Sequence, residues 1–204
     1  MSPTSLFLLR HAEVESRYQR VFGGRIDMDL SPRGHEQAVA LARYIARHKF
    51  DAVYASPMKR VQQTMRPLAP QFTQAPVICE ELREVDFGDW TGLGWDEVFA
   101  KYSISAFQWL QQIESAAIPN GECRSTFAAR VEPCLRRILA EHRGQSIAII
   151  CHGGVIRMVL SLLLDLPLSK MASFEIDYAS VTRVDLEPHK TEVQFLNHVP
   201  WRHE

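Results

Sequence analysis

No two cysteines in this chain form a C-x-x-C pair. Cys79, Cys123, Cys134 and Cys151 are widely scattered, which favours reduced thiols in a cytoplasmic protein. Cys151 reads as a small core residue. Long apolar runs are missing too. Leu6 to Leu9 has no basic flank before it and is far too short for a signal-peptide core, and nothing approaches the roughly 20 apolar residues of a membrane span. Net charge is nearly absent: 23 Lys+Arg against 24 Asp+Glu leave −1, so no global field draws the protein to nucleic acid or to an anionic membrane. Any anion binding must be local. Low-complexity tracts are lacking, and the one internal echo is a pair of similar strand-to-histidine stretches.

With 204 residues, 46% hydrophobic and 23% charged, the chain has enough apolar material for one sizeable core. The echo organises it. Ser5-Leu6-Phe7-Leu8-Leu9 runs into Arg10-His11-Ala12-Glu13, and Ser146-Ile147-Ala148-Ile149-Ile150-Cys151 runs into His152-Gly153-Gly154. Neither apolar run alternates, as expected of strands covered on both faces. Residues 11–30 lose periodicity and form a long, functional loop. Ser31-Pro32 then starts a helix whose apolar stripe is Ala38, Leu41, Ala42 and Ile45. Ala52 to Ala55 is a second strand, and Ser56-Pro57 is expected to cap a helix carrying Arg60 and Thr64 until Pro67 stops it. Val77 to Cys79 reads as a third strand, followed by a loop at 82–92 that bears Glu84. Residues 94–115 are rich in aromatics and helical in pattern, either a packed helical pair or a cap whose rings line a substrate mouth.

After the turn Pro119-Asn120-Gly121, a long helix runs toward Gly144. Gly153-Gly154 opens another, stopped at Pro167. Strands are predicted at 173–177, 180–186 and 192–196, the last two as a hairpin. The alternation indicates an α/β fold, a three-layer sandwich with a mostly parallel central sheet, helices on both faces and a small helical cap. Residues 1–204 then form a single domain, with the cap-like segment at about 93–120.

That topology places Arg10, His11, His152 and Arg60 on one rim of the sheet, where open α/β sheets bind ligands. Two arginines and two histidines without matched carboxylates repel one another unless an anion fills the space, and phosphate fits the guanidinium fork. Helix N-termini after Ser56 and His152 would add N–H donors.

Three chemistries compete. His11-Ala12-Glu13 matches the H-x-E of zinc nucleobase deaminases, but the required P-C-x-x-C is represented only by Pro133-Cys134-Leu135-Arg136-Arg137, without its second cysteine. Phosphoryl transfer through a histidine nucleophile fits better, since adjacent arginines keep the imidazole neutral and neutralise the phosphate. A leaving alkoxide then needs a proton donor, for which Glu84 is best placed and Glu13 is the rival. The third reading is a weakened enzyme acting as a phosphate-ligand or regulatory binding module.

Taken together, Arg10-His11-Ala12-Glu13, Gly24-x-x-Asp27-x-Asp29-Leu30-Ser31-x-x-Gly34, Ser56-Pro57-x-x-Arg60-x-x-x-Thr64, Leu82-x-Glu84-x-x-x-Gly88-x-Trp90-x-Gly92, Asn120-Gly121-Glu122 and His152-Gly153-Gly154 resemble the histidine phosphatase, or phosphoglycerate-mutase-like, superfamily. The pattern is nearest to its small alpha-ribazole and broad-specificity phosphatases. The resemblance implies His11 as the phosphorylated nucleophile, Arg10, Arg60 and His152 as phosphoryl ligands, and Glu84 as proton donor and then base. It further implies Arg17, Gly23, Gly24 and Gly153 as substrate-contacting positions, a small phosphorylated metabolite as partner, and neither metal nor cofactor. A homodimer stays open. Three positions depart from the pattern. Ala12 replaces a usual glycine, at a cost of about 1 kcal/mol if the backbone there has positive φ; Val14 replaces a hydroxyl residue, and Arg17 an asparagine. The short segment between Gly92 and Pro119 points to a phosphatase, while the loop through Asp27 and Asp29 looks as much like the mutases.

Overall fold

Strand β1 (Thr4–Arg10) and strand β4 (Ser146–Cys151) lie side by side in parallel, with Leu6 opposite Ile147 and Arg10 opposite Cys151. Because the strands end level, the residues that follow them, His11 and His152, emerge on the same rim. The computed structural model describes residues 2–202; Met1 and the tail residues His203 and Glu204 lie outside the described residues. Strand β2 (Ala52–Ala55) runs parallel to β4 on its other side, and the two-residue β3 (Val77–Ile78) runs parallel to β2. Beyond β1 the direction reverses: β5 (Val181–Glu187) and β6 (Lys190–His198) add antiparallel. The order β3-β2-β4-β1-β5-β6 is the expected mostly parallel sheet with an antiparallel edge.

Successive residues of the central strands point to opposite layers. Phe7, Leu9, Val53, Ala55, Ala148 and Ile150 pack with helix α1 (Pro32–Ile45) and helix α2 (Lys59–Met65). Leu6, Leu8, Tyr54, Ile147 and Ile149 share the other core with helix α5 (Arg124–Glu141) and helix α6 (Gly153–Leu164). Covering on both faces explains why the strands read as unbroken apolar runs. Short helices α3 (Trp95–Tyr102) and α4 (Trp109–Glu114) join this second core through Val98, Leu110 and Ile113, leaving Phe99 and Phe107 exposed.

Helix α1 starts as its sequence predicts, with Ser31 Oγ accepting from Gly34 N and Pro32 at the first helical position. Helix α2 does not. It begins at Lys59, beyond Ser56-Pro57. Ser56 Oγ is engaged instead by His152 Nε2 at 2.8 Å, and the Lys59 amide donates to Asp27 Oδ1 at 2.7 Å, so an aspartate from the 11–30 loop does the capping. The strand predicted at 173–177 is also absent: Leu168–Ser173 is a 3₁₀ turn, followed by irregular chain. Its carbonyls face inward to arginines rather than to a neighbouring strand, Phe174 O accepting from Arg157 and Ile176 O from Arg10. Among the described residues, no helix is long and apolar enough to cross a membrane.

Candidate active site

Just past β1, His11 is 5% exposed. Its Nδ1 lies 2.8 Å from Ala12 O; a carbonyl can only accept, so Nδ1 carries the proton and Nε2 keeps its lone pair. Burial first, then the charges of Arg60 and Arg10, hold its pKa well below the usual 6.5. Ala12 itself is not in the left-handed region. Its amide donates to Thr64 Oγ1 and its methyl joins the core with Leu9 and Leu30, so the cost anticipated for alanine does not arise.

Arg60 is 2% exposed and reaches the same point from α2. Its Nε lies 3.2 Å from both His11 Nε2 and His152 Nδ1, donating between them, while Nη1 and Nη2 bind the carbonyls of Ile26 and Gly24. Gly24 turns its carbonyl inward with φ +45°, a conformation that disfavours any side chain. At Gly23 a Cβ would meet only the end of the flexible Met28 side chain. Burial lowers the Arg60 pKa to about 10, so the guanidinium stays charged at neutral pH. His152 is fully buried behind it, ring centroid 5.2 Å from that of His11. Burial and then Arg60 also keep its pKa well below 6.5.

Arg10 lies against the Tyr178 ring at 4.0 Å, and its Nη1 donates to Ile176 O. Its Nε is buried with no partner, which marks a donor awaiting a ligand. Opposite stands Glu84, whose Oε1 accepts from Val85 N and whose Oε2 accepts from Gly154 N at 3.1 Å. The first-turn amide of α6 is thus spent on a carboxylate of the chain. A Cβ at Gly154 would overlap that carboxylate, so the second glycine of His152-Gly153-Gly154 is required for Glu84 to approach. Arg130 holds the Glu84 loop from behind: it donates to the carbonyls of Glu81, Arg83 and Glu84 and pairs with both oxygens of Glu122. Glu122 in turn accepts from Asp86 N. The Asn120-Gly121-Glu122 motif therefore acts through the loop it braces.

A cavity of about 410 Å³ opens over these groups, lined by Arg10, His11, Arg60, Glu84 and Gly153, with Gly23 and Gly24 on one wall and Trp95, Phe107 and Trp109 on another. The structure keeps several candidates out of it. Arg17 is exposed on the 3₁₀ turn Ser16–Tyr18 and pairs with Glu15. Glu13 accepts from Ser31 Oγ, has no arginine partner among the described residues and does not line the cavity, whereas Glu84 does. Asp27 and Asp29 hold Lys59 and Gln63, so the mutase-like loop is a brace for α2. Tyr178 and Arg157 are among the cavity residues that the sequence reading does not single out. The first lies just past the strand predicted at 173–177, outside any motif; the second lies one helical turn after Gly153 and shares its face.

Among the described residues, one group of ligand-type side chains, Cys79, Glu81 and Cys134, comes within 4.8 Å. None of the three lines the cavity, and Arg137 Nη2 sits 3.9 and 3.8 Å from the two sulfurs, a cation already in place.

A histidine lone pair between guanidinium donors, facing a carboxylate, suits transfer of a phosphoryl group to nitrogen and then to water. Residues 6–199 match the family described as the histidine phosphatase superfamily, branch 1. Phosphoserine phosphatase 1 of Hydrogenobacter thermophilus is 31% identical over 94% of this chain and 91% of its own length. Adenosylcobalamin/alpha-ribazole phosphatase of Escherichia coli is 29% identical over 94% and 95%. The crystal structure of the alpha-ribazole phosphatase from Shigella flexneri superposes with a TM-score of 0.82, at 28% identity, over 95% of this chain and 96% of that one. With the family match spanning nearly its whole length, the chain belongs to the histidine phosphatase superfamily.

Proposed function

We propose that the protein is a cytoplasmic phosphatase that hydrolyses a small phosphomonoester through a phosphohistidine at His11, with no metal, and that residues 93–120 serve as a cap over the cavity. The observation that carries this is the tautomer of His11: the Ala12 carbonyl fixes the proton on Nδ1, so Nε2 points its lone pair into a cavity flanked by Arg10 and Arg60. In the first step Nε2 bonds to phosphorus as the ester P–O bond breaks, and the Glu84 carboxylic acid gives its proton to the departing alkoxide. In the second, the Glu84 carboxylate takes a proton from water as that water bonds to phosphorus and the N–P bond breaks. Arg10 Nε, Arg60 Nε and His152 hold the charged equatorial oxygens.

His152 suits this because its Nε2 faces a hydroxyl. Ser56 Oγ either accepts from it or donates to it, so the ring presents Nδ1 as an acceptor to Arg60 when free and as a donor to a phosphoryl oxygen when loaded. Four free cysteines accord with a reducing compartment.

The test is to mix enzyme with excess phosphomonoester in EDTA, quench without acid and map the mass of a phosphoryl group by peptide mass spectrometry. The expected adduct is at His11. Turnover without that adduct, or turnover abolished by EDTA and restored by zinc, overturns the reading. With 3-phosphoglycerate and a bisphosphoglycerate primer, phosphate release should outpace isomerisation; the reverse makes the protein a mutase.

The two buried histidines also set a stability signature. Because both are held neutral in the folded chain at a pH where the unfolded chain protonates them, the unfolded state binds more protons below about pH 6.5. Stability is therefore present above pH 6.5 and falls as pH drops, with a limiting slope of about 2.7 kcal/mol per pH unit for two sites. Urea midpoints at pH 7.5 and 5.5 measure it, and His152→Asn should roughly halve the slope. A stability flat across that range would show that the histidines ionise in place.

A further inference from the structure

Arg157 belongs to the cavity yet has no part in the phosphoryl chemistry described above. It projects from the first turns of α6, with Nη1 donating to Gly153 O at 3.2 Å and Nη2 to Phe174 O at 3.0 Å, while its Nε is buried and unpartnered. Among the described residues no carboxylate pairs with it. Asp177 is taken by Arg202 and Asn197, and Glu175 lines the cavity as an exposed side chain without reaching it. Its neighbour is another cation: a point directly over Gly153 lies 3.2 Å from Arg157 Nη1 and 3.5 Å from Arg10 Nε. Two guanidinium groups thus flank one glycine, each with an unsatisfied buried Nε.

Charge counting shows what is missing. The cavity wall carries Arg10, Arg60 and Arg157 against Glu84 and the exposed Glu175, and Glu84 is uncharged whenever it serves as the acid. A phosphomonoester brings close to two negative charges, which Arg10 and Arg60 neutralise beside His11. One guanidinium is left over. A buried cation without a partner is costly, and a planar fork selects a planar anion.

We propose that Arg157 is a specificity-determining residue that receives a carboxylate of the substrate, so that the preferred substrate is a short phosphorylated hydroxy acid. This rests on the phosphatase reading above. The bland alternative is that Arg157 merely ties α6 to the 168–174 turn through its two carbonyl contacts; that role would slow all substrates alike.

A matched pair separates the two. 3-Phosphoglycerate and glycerol 3-phosphate differ only in carboxylate against hydroxymethyl. Phosphate release should give the wild type a higher kcat/KM on the acid, and Arg157→Gln should reduce the acid-to-alcohol ratio by about 10- to 100-fold, as expected for loss of a charge-assisted pair. Arg157→Lys, which keeps the charge without the fork, should retain part of the ratio. Equal wild-type activity on both compounds, or a ratio unchanged in Arg157→Gln, overturns the inference. Hydrolysis of p-nitrophenyl phosphate by the wild type, lost on changing His11, is run in parallel: its absence sinks the phosphatase reading itself, whereas its presence with an unaltered ratio sinks only the role of Arg157.

Discussion

His11→Ala should lower kcat/KM for every phosphomonoester on the order of 10⁴-fold, because in the proposed mechanism it removes the atom that bonds to phosphorus, and among the described residues none replaces it. Among the described residues His152 is the only other imidazole at the site, but its Nε2 is held by Ser56 and its Nδ1 shares the Arg60 hydrogen bond, so it cannot take the place of His11. Arg10 and Arg60 remain, and the variant should still bind inorganic phosphate. Folding should survive, since His11 is a neutral group held among cations that disfavour its charged form, and alanine is already tolerated next door at the fully buried Ala12. The space left by the ring, flanked by the same guanidinium donors, also invites chemical rescue. Free imidazole should restore part of the turnover of p-nitrophenyl phosphate in the variant and leave the wild type unchanged. A variant that keeps activity within tenfold of wild type would mean that phosphorus is attacked directly by water, with His11 as a mere ligand.

The centre of this site was legible in the sequence because it depends on local order. A short apolar run without alternation reads as an interior strand, and two such runs ending in histidine deliver them to one rim once the strands pair parallel and in register. The start of α1 was equally local, a serine with proline after it. What escaped depended on partners distant in sequence. Ser56-Pro57 looks like a helix start, yet its hydroxyl belongs to a histidine brought in by β4 and the true cap comes from Asp27 in another loop. The segment 173–177 looks like a strand until the carbonyls of Phe174 and Ile176 are seen to bind arginines from α6 and β1. Arg17 was placed in the pocket by motif position, but Glu15, two residues away, holds it on the surface. Ala12 carries no strain because Thr64, far along the chain, receives its amide while the backbone keeps an ordinary φ. Gly154 shows how a motif's meaning can invert: the amide read as a phosphate donor instead fixes the acid, and its missing side chain makes room for that acid.

The acid gives the second large effect, and it should depend on the leaving group. In Glu84→Gln the side-chain shape is kept, but a carboxamide can neither give a proton to an alkoxide nor take one from water. For alkyl phosphates, whose leaving oxygen must be protonated as the ester bond breaks, kcat should fall about 10²- to 10⁴-fold. p-Nitrophenolate is a stable anion and needs no such proton, so the first step should stay fast with p-nitrophenyl phosphate. The second step has no such escape, because water still lacks its base. Phosphoryl-His11 should therefore accumulate, and stopped-flow traces should show a burst of p-nitrophenolate near one equivalent per site followed by a slow steady rate. Two of the local contacts argue that this result would report chemistry more than collapse of the loop: Arg130 grips the main chain at Glu81, Arg83 and Glu84, and Glu122 braces Arg130 in turn, none of which involves the Glu84 carboxylate. The substitution does leave one of the amides of Val85 and Gly154 facing an NH₂ group, a loss of about 1–3 kcal/mol in stability that a melting curve would register. A uniform loss across leaving groups with no burst would assign the proton transfers to another residue, and Glu84 would then be only a carboxylate that positions α6.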